Sequence, residues 1–205
     1  GTIAYTGTVA NTSGASVSIS NRSSGTVSFG GAISDTGLGV SLSSNTGATI
    51  AFSGGLTLNT AANTAFSATG GGTVTVTGAT NTLTTTTGTA LTVANTTIGA
   101  AGLTFRSIAS NGASSGIVLN NTGSSGGLTV AGTGSAGSGG TIQNSTATGI
   151  SLTSTRGINL SYMTVSGSGD DGLHAATVTN VAITQSTFSA NGNSVSDEGL
   201  EFDDP

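Results

Sequence analysis

Apolar residues recur in pairs separated by one small or polar residue along nearly the whole chain. The pairs are Val17/Ile19, Val27/Phe29, Val40/Leu42, Ile50/Phe52, Leu56/Leu58 and Val74/Val76, then Leu91/Val93, Leu103/Phe105, Ile117/Leu119, Leu128/Val130, Ile150/Leu152 and Ile158/Leu160. A period of two places both members of a pair on one face of a strand. Gly, Asn or Ser flank nearly every pair, so turns interrupt each strand after a few residues. No stretch has a helical face, and Thr, Ser and Gly are poor helix formers. The pattern predicts an all-β chain of many short strands.

These strands repeat at a longer interval. The segment GINLSYMTVSGSGDDGLHAAT from Gly157 aligns without a gap on NVAITQSTFSANGNSVSDEGL from Asn180, up to a four-residue insertion near Asn193–Ser196 that restores register at Gly199. Val17, Val40, Ala65, Leu91, Ile117, Ile150, Leu173 and Leu200 begin successive copies of one recurrent strand, about 26 residues apart. The longest step contains the Gly/Ser-rich stretch Gly132–Gly140, which reads as a swollen loop. Each step holds three strand signals, as in ATGISL, RGINL and MTVSG. Three strands per step, each resembling its counterpart one step away, describe a β-solenoid of about eight coils. A sandwich or meander would share the strand spacing but would not make its strands alike. Gly116, Gly149, Gly172 and Gly199 each precede an apolar residue, as a corner repeated coil after coil would require. Phe29, Phe52, Phe105, Phe188 and Phe202 are expected in the core stack; Phe66 fits either an inward or an exposed position.

The segments ATGISL, RGINLSYMTVSGSGDDGL and NVAITQSTFSANG resemble the right-handed parallel β-helix repeats of large bacterial extracellular proteins, adhesin-like and autotransporter-like ones among them. The resemblance spans nearly all the chain and is clearest after Thr89. It implies right-handed coiling, a secreted or cell-surface location, and a structural role as stalk, matrix or filament component with adhesion-like contacts. It also leaves open a polysaccharide-cleaving enzyme, because passive stalks and such enzymes share these patterns. Residues 1–205 read as one solenoid segment of a longer protein, with no evident cap at either end. Self-association end to end or with neighbouring copies is therefore expected, because an open strand edge pairs readily. A surface receptor or glycan is a further candidate partner.

Composition narrows the functional classes. Only 5% of residues are charged, Lys is absent, and Arg22, Arg106 and Arg156 are the only Lys or Arg residues, giving a formal net charge of −5. Phosphate or anionic-lipid surfaces need several converging cations, so nucleic acid and electrostatic membrane anchoring are excluded as partners. No apolar run is long enough to insert as a membrane-spanning helix. Without Cys there is no disulfide, thiolate catalysis or thiolate metal site. The alternating Thr73, Thr75, Thr77 and Thr82, Thr84, Thr86 read as strand propensity and uncharged solubility, since strips such as Ser18, Ser41, Thr92 and Ser28, Ala51, Thr75 are mixed.

The acidic residues are uneven: Asp35 stands alone and the other seven fall between Asp170 and Asp204. The alignment sets Asp170 over Asp197, Asp171 over Glu198 and His174 over Glu201. Asp170, Asp171, Asp197 and Glu198 would then lie together on an outer strip, either screened by solvent or bridged by a cation. Calcium, which takes six to eight oxygen ligands, is the expected ion, and a calcium-dependent binding module is an alternative function. Asp170-Asp171 with His174 nearby also resembles the paired-aspartate element of the galacturonase family, whose NTD, GHG and RIK triplets are absent. His174 follows an apolar position and is expected to point outward. No catalytic residue is assigned.

Overall fold

Short strands bounded by turns need partners from elsewhere in the chain, and the computed structural model, which describes residues 1–78 and 80–203, supplies them one coil away. Twenty-two strands occur among these residues, and every pairing between them is parallel. They form three ladders, each a face of a solenoid; one face is a separate eight-stranded sheet, so about eight coils are stacked. The other two faces merge where the strands Ile150–Ser161 and Leu173–Thr184 run through the corner between them. The repeating strand pattern matches a right-handed parallel β-helix, as right-handed crossovers between parallel strands lead one to expect.

Like stacks on like inside. On the first face Val17, Val40, Phe66, Leu91, Ile117, Ile150, Leu173 and Leu200 follow one another in register. Ala65, expected in this column from the sequence, is replaced by Phe66. Ala65 belongs instead to the preceding column of small residues, Ala65, Ala90, Gly116, Gly149, Gly172 and Gly199, whose carbonyls accept the amides of the apolar column one coil earlier. There is no room for more: a Cβ on Gly172 would lie 2.5 Å from the Gly199 carbonyl oxygen, and one on Gly149 2.7 Å from Ser168 Oγ. Gly116, Gly149 and Gly172 are thus required by close approach and not by a left-handed backbone, whereas Gly199, in the last described coil, has open space around it.

The left-handed positions fall at the other end of the same strands. Asn21, Ser44, Gly70, Asn95, Asn121, Ser154 and Thr177 each follow the first-face strand of their coil, all with φ between 48° and 76°. In the strands Ile150–Ser161 and Leu173–Thr184 a single residue in this conformation turns the chain onto the next face without a loop, whereas in the earlier coils a short connection follows it. Asn and Gly adopt it readily, whereas Ser154 and Thr177 bear a cost of about 1–2 kcal/mol that the surrounding ladders over-determine. Inside this corner Thr96, Thr122 and Thr155 are buried, and the Thr122 and Thr155 hydroxyls hydrogen-bond to each other across the coils.

The core is thin but contains a row of aromatic rings. Phe29 stacks on Phe52 at 5.0 Å, Phe52 meets Phe66 edge-on at 5.5 Å, and Phe66 meets Phe105 at 6.4 Å. Phe66 is inward and fully buried. Phe202, expected in the core, is 55% exposed because no described strand lies over it, and Phe188 is only partly buried. The swollen loop runs between the strands Leu128–Val130 and Gly140–Gln143. On the second face the column Thr2, Thr26, Thr49, Thr73, Thr97 is unmixed, unlike the strips considered from sequence. Asp35 is buried, with its carboxylate accepting from the Ser16 amide at 2.6 Å, the Ser16 hydroxyl and the Gly37 amide.

Candidate metal centre

The acidic edge is built where the last two coils meet. Thr148, Asp171 and Glu198 occupy equivalent positions just before the first-face strand, joined by the amides of Gly149 and Gly172 donating to the Asp171 and Glu198 carbonyls. Thr148 is buried at this inward position, and Asp171 follows it: only 3% of Asp171 is exposed. Its Oδ1 accepts the Glu198 amide at 2.8 Å. The first-face strand then begins at Leu173, so alternation turns His174 outward. Register sets His174 beside Glu201, while Asp203 extends from the same face as Glu201 two residues on.

The outcome is a cluster around one imidazole. His174 Nδ1 lies 3.5 Å from Glu201 Oε2 and 4.0 Å from Asp171 Oδ2. On the far side of the ring, Nε2 is 3.0 Å from Asp203 Oδ2. One ligand atom from each of Asp171, His174 and Glu201 falls within 4.8 Å of the other two, so these residues could chelate a divalent cation. The Glu201 carboxyl is held above the ordinary carboxylate range, first by its hydrogen bond with the Asp171 carboxylate and then by partial burial. His174 pulls it down, while the charges of Asp171 and Asp203 push it further up. Among the described residues every carboxylate with a basic side chain in reach faces His174, an ion pair only when the ring is protonated; no arginine neutralises a carboxylate.

Of the four carboxylates expected as ligands, the structure brings only Asp171 into this cluster. Asp170 Oδ2 accepts the Thr148 hydroxyl at 2.9 Å. Asp197 Oδ2 accepts the amides of Asn193 and Ser194, both at 2.8 Å, and so closes the four-residue insertion on itself. Glu198 is exposed and contributes its backbone amide. Glu201 and Asp203 were the residues not singled out from sequence. The signal was present, since the alignment already set His174 over Glu201 and period-two alternation puts Asp203 on the same face.

A concavity of about 450 Å³ lies elsewhere, against the third face, lined by Ile33, Leu56, Thr57 and Arg106 among others. Its lining contains no carboxylate or histidine and so offers no acid–base pair. No protein family, curated protein or solved structure matches the chain.

Proposed function

We propose that this chain is a rigid β-solenoid rod of a secreted or cell-surface bacterial protein, serving as stalk, matrix or filament component. The observation that carries this reading is the set of three parallel ladders with a neutral Ser/Thr/Asn exterior. Continuous ladders resist bending and proteolysis because each backbone amide is held by the neighbouring coil. The repeated outer columns offer adhesion-like contacts without charge. Apolar side chains lie exposed at both ends of the stack: Ile3 and Tyr5 in the first coil, Leu200 and Phe202 in the last. An apolar coil edge of this kind takes a further coil, of this protein or of a second copy, and we infer end-to-end association where a second copy supplies it.

Electron microscopy of the purified chain over a range of concentrations tests this. The expected images are short rods that lengthen into filaments one solenoid wide, and that stay short when Phe202 is replaced by Asp. Round particles without a long axis at any concentration contradict the rod. Rods that never lengthen contradict the association alone.

Calcium at the acidic edge has the carboxylates of Asp171, Glu201 and Asp203 in its favour and the imidazole of His174 against it. A polysaccharide-cleaving activity has weaker support. Two carboxylates flanking a bound sugar are what glycoside hydrolysis requires, whereas Asp171 is buried and Asp197 is committed to its own turn.

A further inference from the structure

Asp171, His174 and Glu201 present one nitrogen and two carboxylate oxygens from two successive coils, and three features of their geometry point to an occupant. First, Asp171 is almost fully buried, yet only its Oδ1 has a backbone donor; Oδ2 faces the cluster with His174 Nδ1 at 4.0 Å. Without an ion the Asp171 carboxylate is hydrogen-bonded by the Glu201 carboxyl, and a cation between the two would take the place of that shared proton. Second, the spacing suits a small ion. A tetrahedral cation with ligand bonds of about 2.0–2.2 Å holds its donors about 3.4 Å apart; Nδ1 is 3.5 Å from Glu201 Oε2 and 4.0 Å from Asp171 Oδ2, so the Asp171 edge would close by about half an ångström on binding. Third, the outer shell is in place. With the proton on Nε2, the ring donates to Asp203 at 3.0 Å, which leaves the Nδ1 lone pair facing Asp171 and Glu201. The Glu198 amide fixes the other edge of the Asp171 carboxylate.

We propose that Asp171, His174 and Glu201 bind a divalent transition cation of the zinc class, with Asp203 as the positioning residue behind the imidazole. Imidazole and carboxylate together suit zinc, cobalt or nickel. Calcium takes six to eight oxygens at about 2.3–2.6 Å and has little use for a nitrogen at the centre. Three protein ligands leave a fourth position for water. Because Asp171 and His174 belong to one coil and Glu201 to the next, the ion would tie the strand Leu200–Asp203 to the body of the solenoid. The proposal rests on the cluster's capacity for a divalent cation and not on the rod reading.

The test titrates the chelator-treated full chain with Zn²⁺, with Co²⁺ as a spectroscopic substitute, and with Ca²⁺. The expected result is one Zn²⁺ per chain, bound more tightly than Ca²⁺, and an intense visible Co²⁺ spectrum of tetrahedral type. Hydrogen exchange in Leu200–Asp203 should slow when the ion is bound. His174→Gln should abolish Zn²⁺ binding while leaving the circular dichroism unchanged, since the side chain is partly exposed. Asp203→Asn should keep the site but weaken it about 10–100-fold. Zn²⁺ binding unaltered by His174→Gln overturns the assignment, as does a Co²⁺ spectrum like that of the aqueous ion. Ca²⁺ binding as tight as Zn²⁺ overturns the metal class but keeps a cation site. Failure to bind any of the three ions removes the cation site altogether and leaves the rod untouched.

Discussion

Replacing Phe66 with alanine is expected to lower the unfolding free energy by about 3–5 kcal/mol, read as a shift of the urea midpoint at unchanged slope. The ring is fully buried, packs edge-on against Phe52 and Phe105, and stacks between Val40 and Leu91 on the first face. The cavity left behind cannot close easily. Ladder hydrogen bonds hold successive coils about 4.8 Å apart, so the neighbouring coils cannot sink into the space as loosely packed helices might. The same change at Phe202, which is 55% exposed, is expected to stay within about 0.5 kcal/mol. Equal losses at the two positions would mean that the aromatic row does not run through Phe66.

Asn81→Leu is expected to be comparably damaging although it adds apolar surface to a buried site. Asn81 is fully buried and works as a plug at a corner. Its Oδ1 accepts the Leu56 amide at 2.8 Å, and its Nδ2 donates to the carbonyls of Thr104 at 2.8 Å and of Thr77 and Gly78 at 3.1 Å. Leucine fills the volume but satisfies none of these groups. The buried Leu56 amide left without a partner costs about 1–3 kcal/mol, and the three half-buried carbonyls, which water can partly satisfy, add less each. Asn45 and Asn191 plug corners in the same way, accepting the Arg22 and Ser168 amides and donating to the Ile19 and Val165 carbonyls. Asn191 is only half-buried, so Asn191→Leu should cost less than Asn81→Leu in the same denaturation experiment.

The coil period was legible because a solenoid strand sees nearly the same environment in every turn. Seven of the eight residues read as one column from sequence do stack in register. Ala65 was the exception for a physical reason. In most coils the residue before the apolar column is glycine, which no hydrophobic pattern mistakes for core, whereas Ala65 is apolar enough to be counted as the first core residue. The corners were less legible, because Ser44, Ser154 and Thr177 hold left-handed positions that their residue types do not announce. At the acidic edge, the alignment paired the right residues across coils but did not tell inward from outward. Asp171 is inward because it continues the buried position of Thr148, and that position lies outside the alternating part of the strand. The turn at Asp197 was not visible in the sequence, because the Asn193 and Ser194 amides that it accepts belong to the insertion itself.

The central claim, that residues about 26 positions apart are immediate neighbours, can be tested by paired cysteines in a chain that has none of its own. Ser41 and Ser67 are register partners in an outward column, and Thr92 lies one coil further on. Parallel neighbours sit about 4.8 Å apart, within the Cα separation a disulfide allows, while positions two coils apart are about 9.6 Å apart and beyond it. Mild oxidation should therefore close the disulfide completely in the Ser41→Cys, Ser67→Cys variant and leave the Ser41→Cys, Thr92→Cys variant reduced. Closure in the second variant, or in neither, would contradict the coiled architecture.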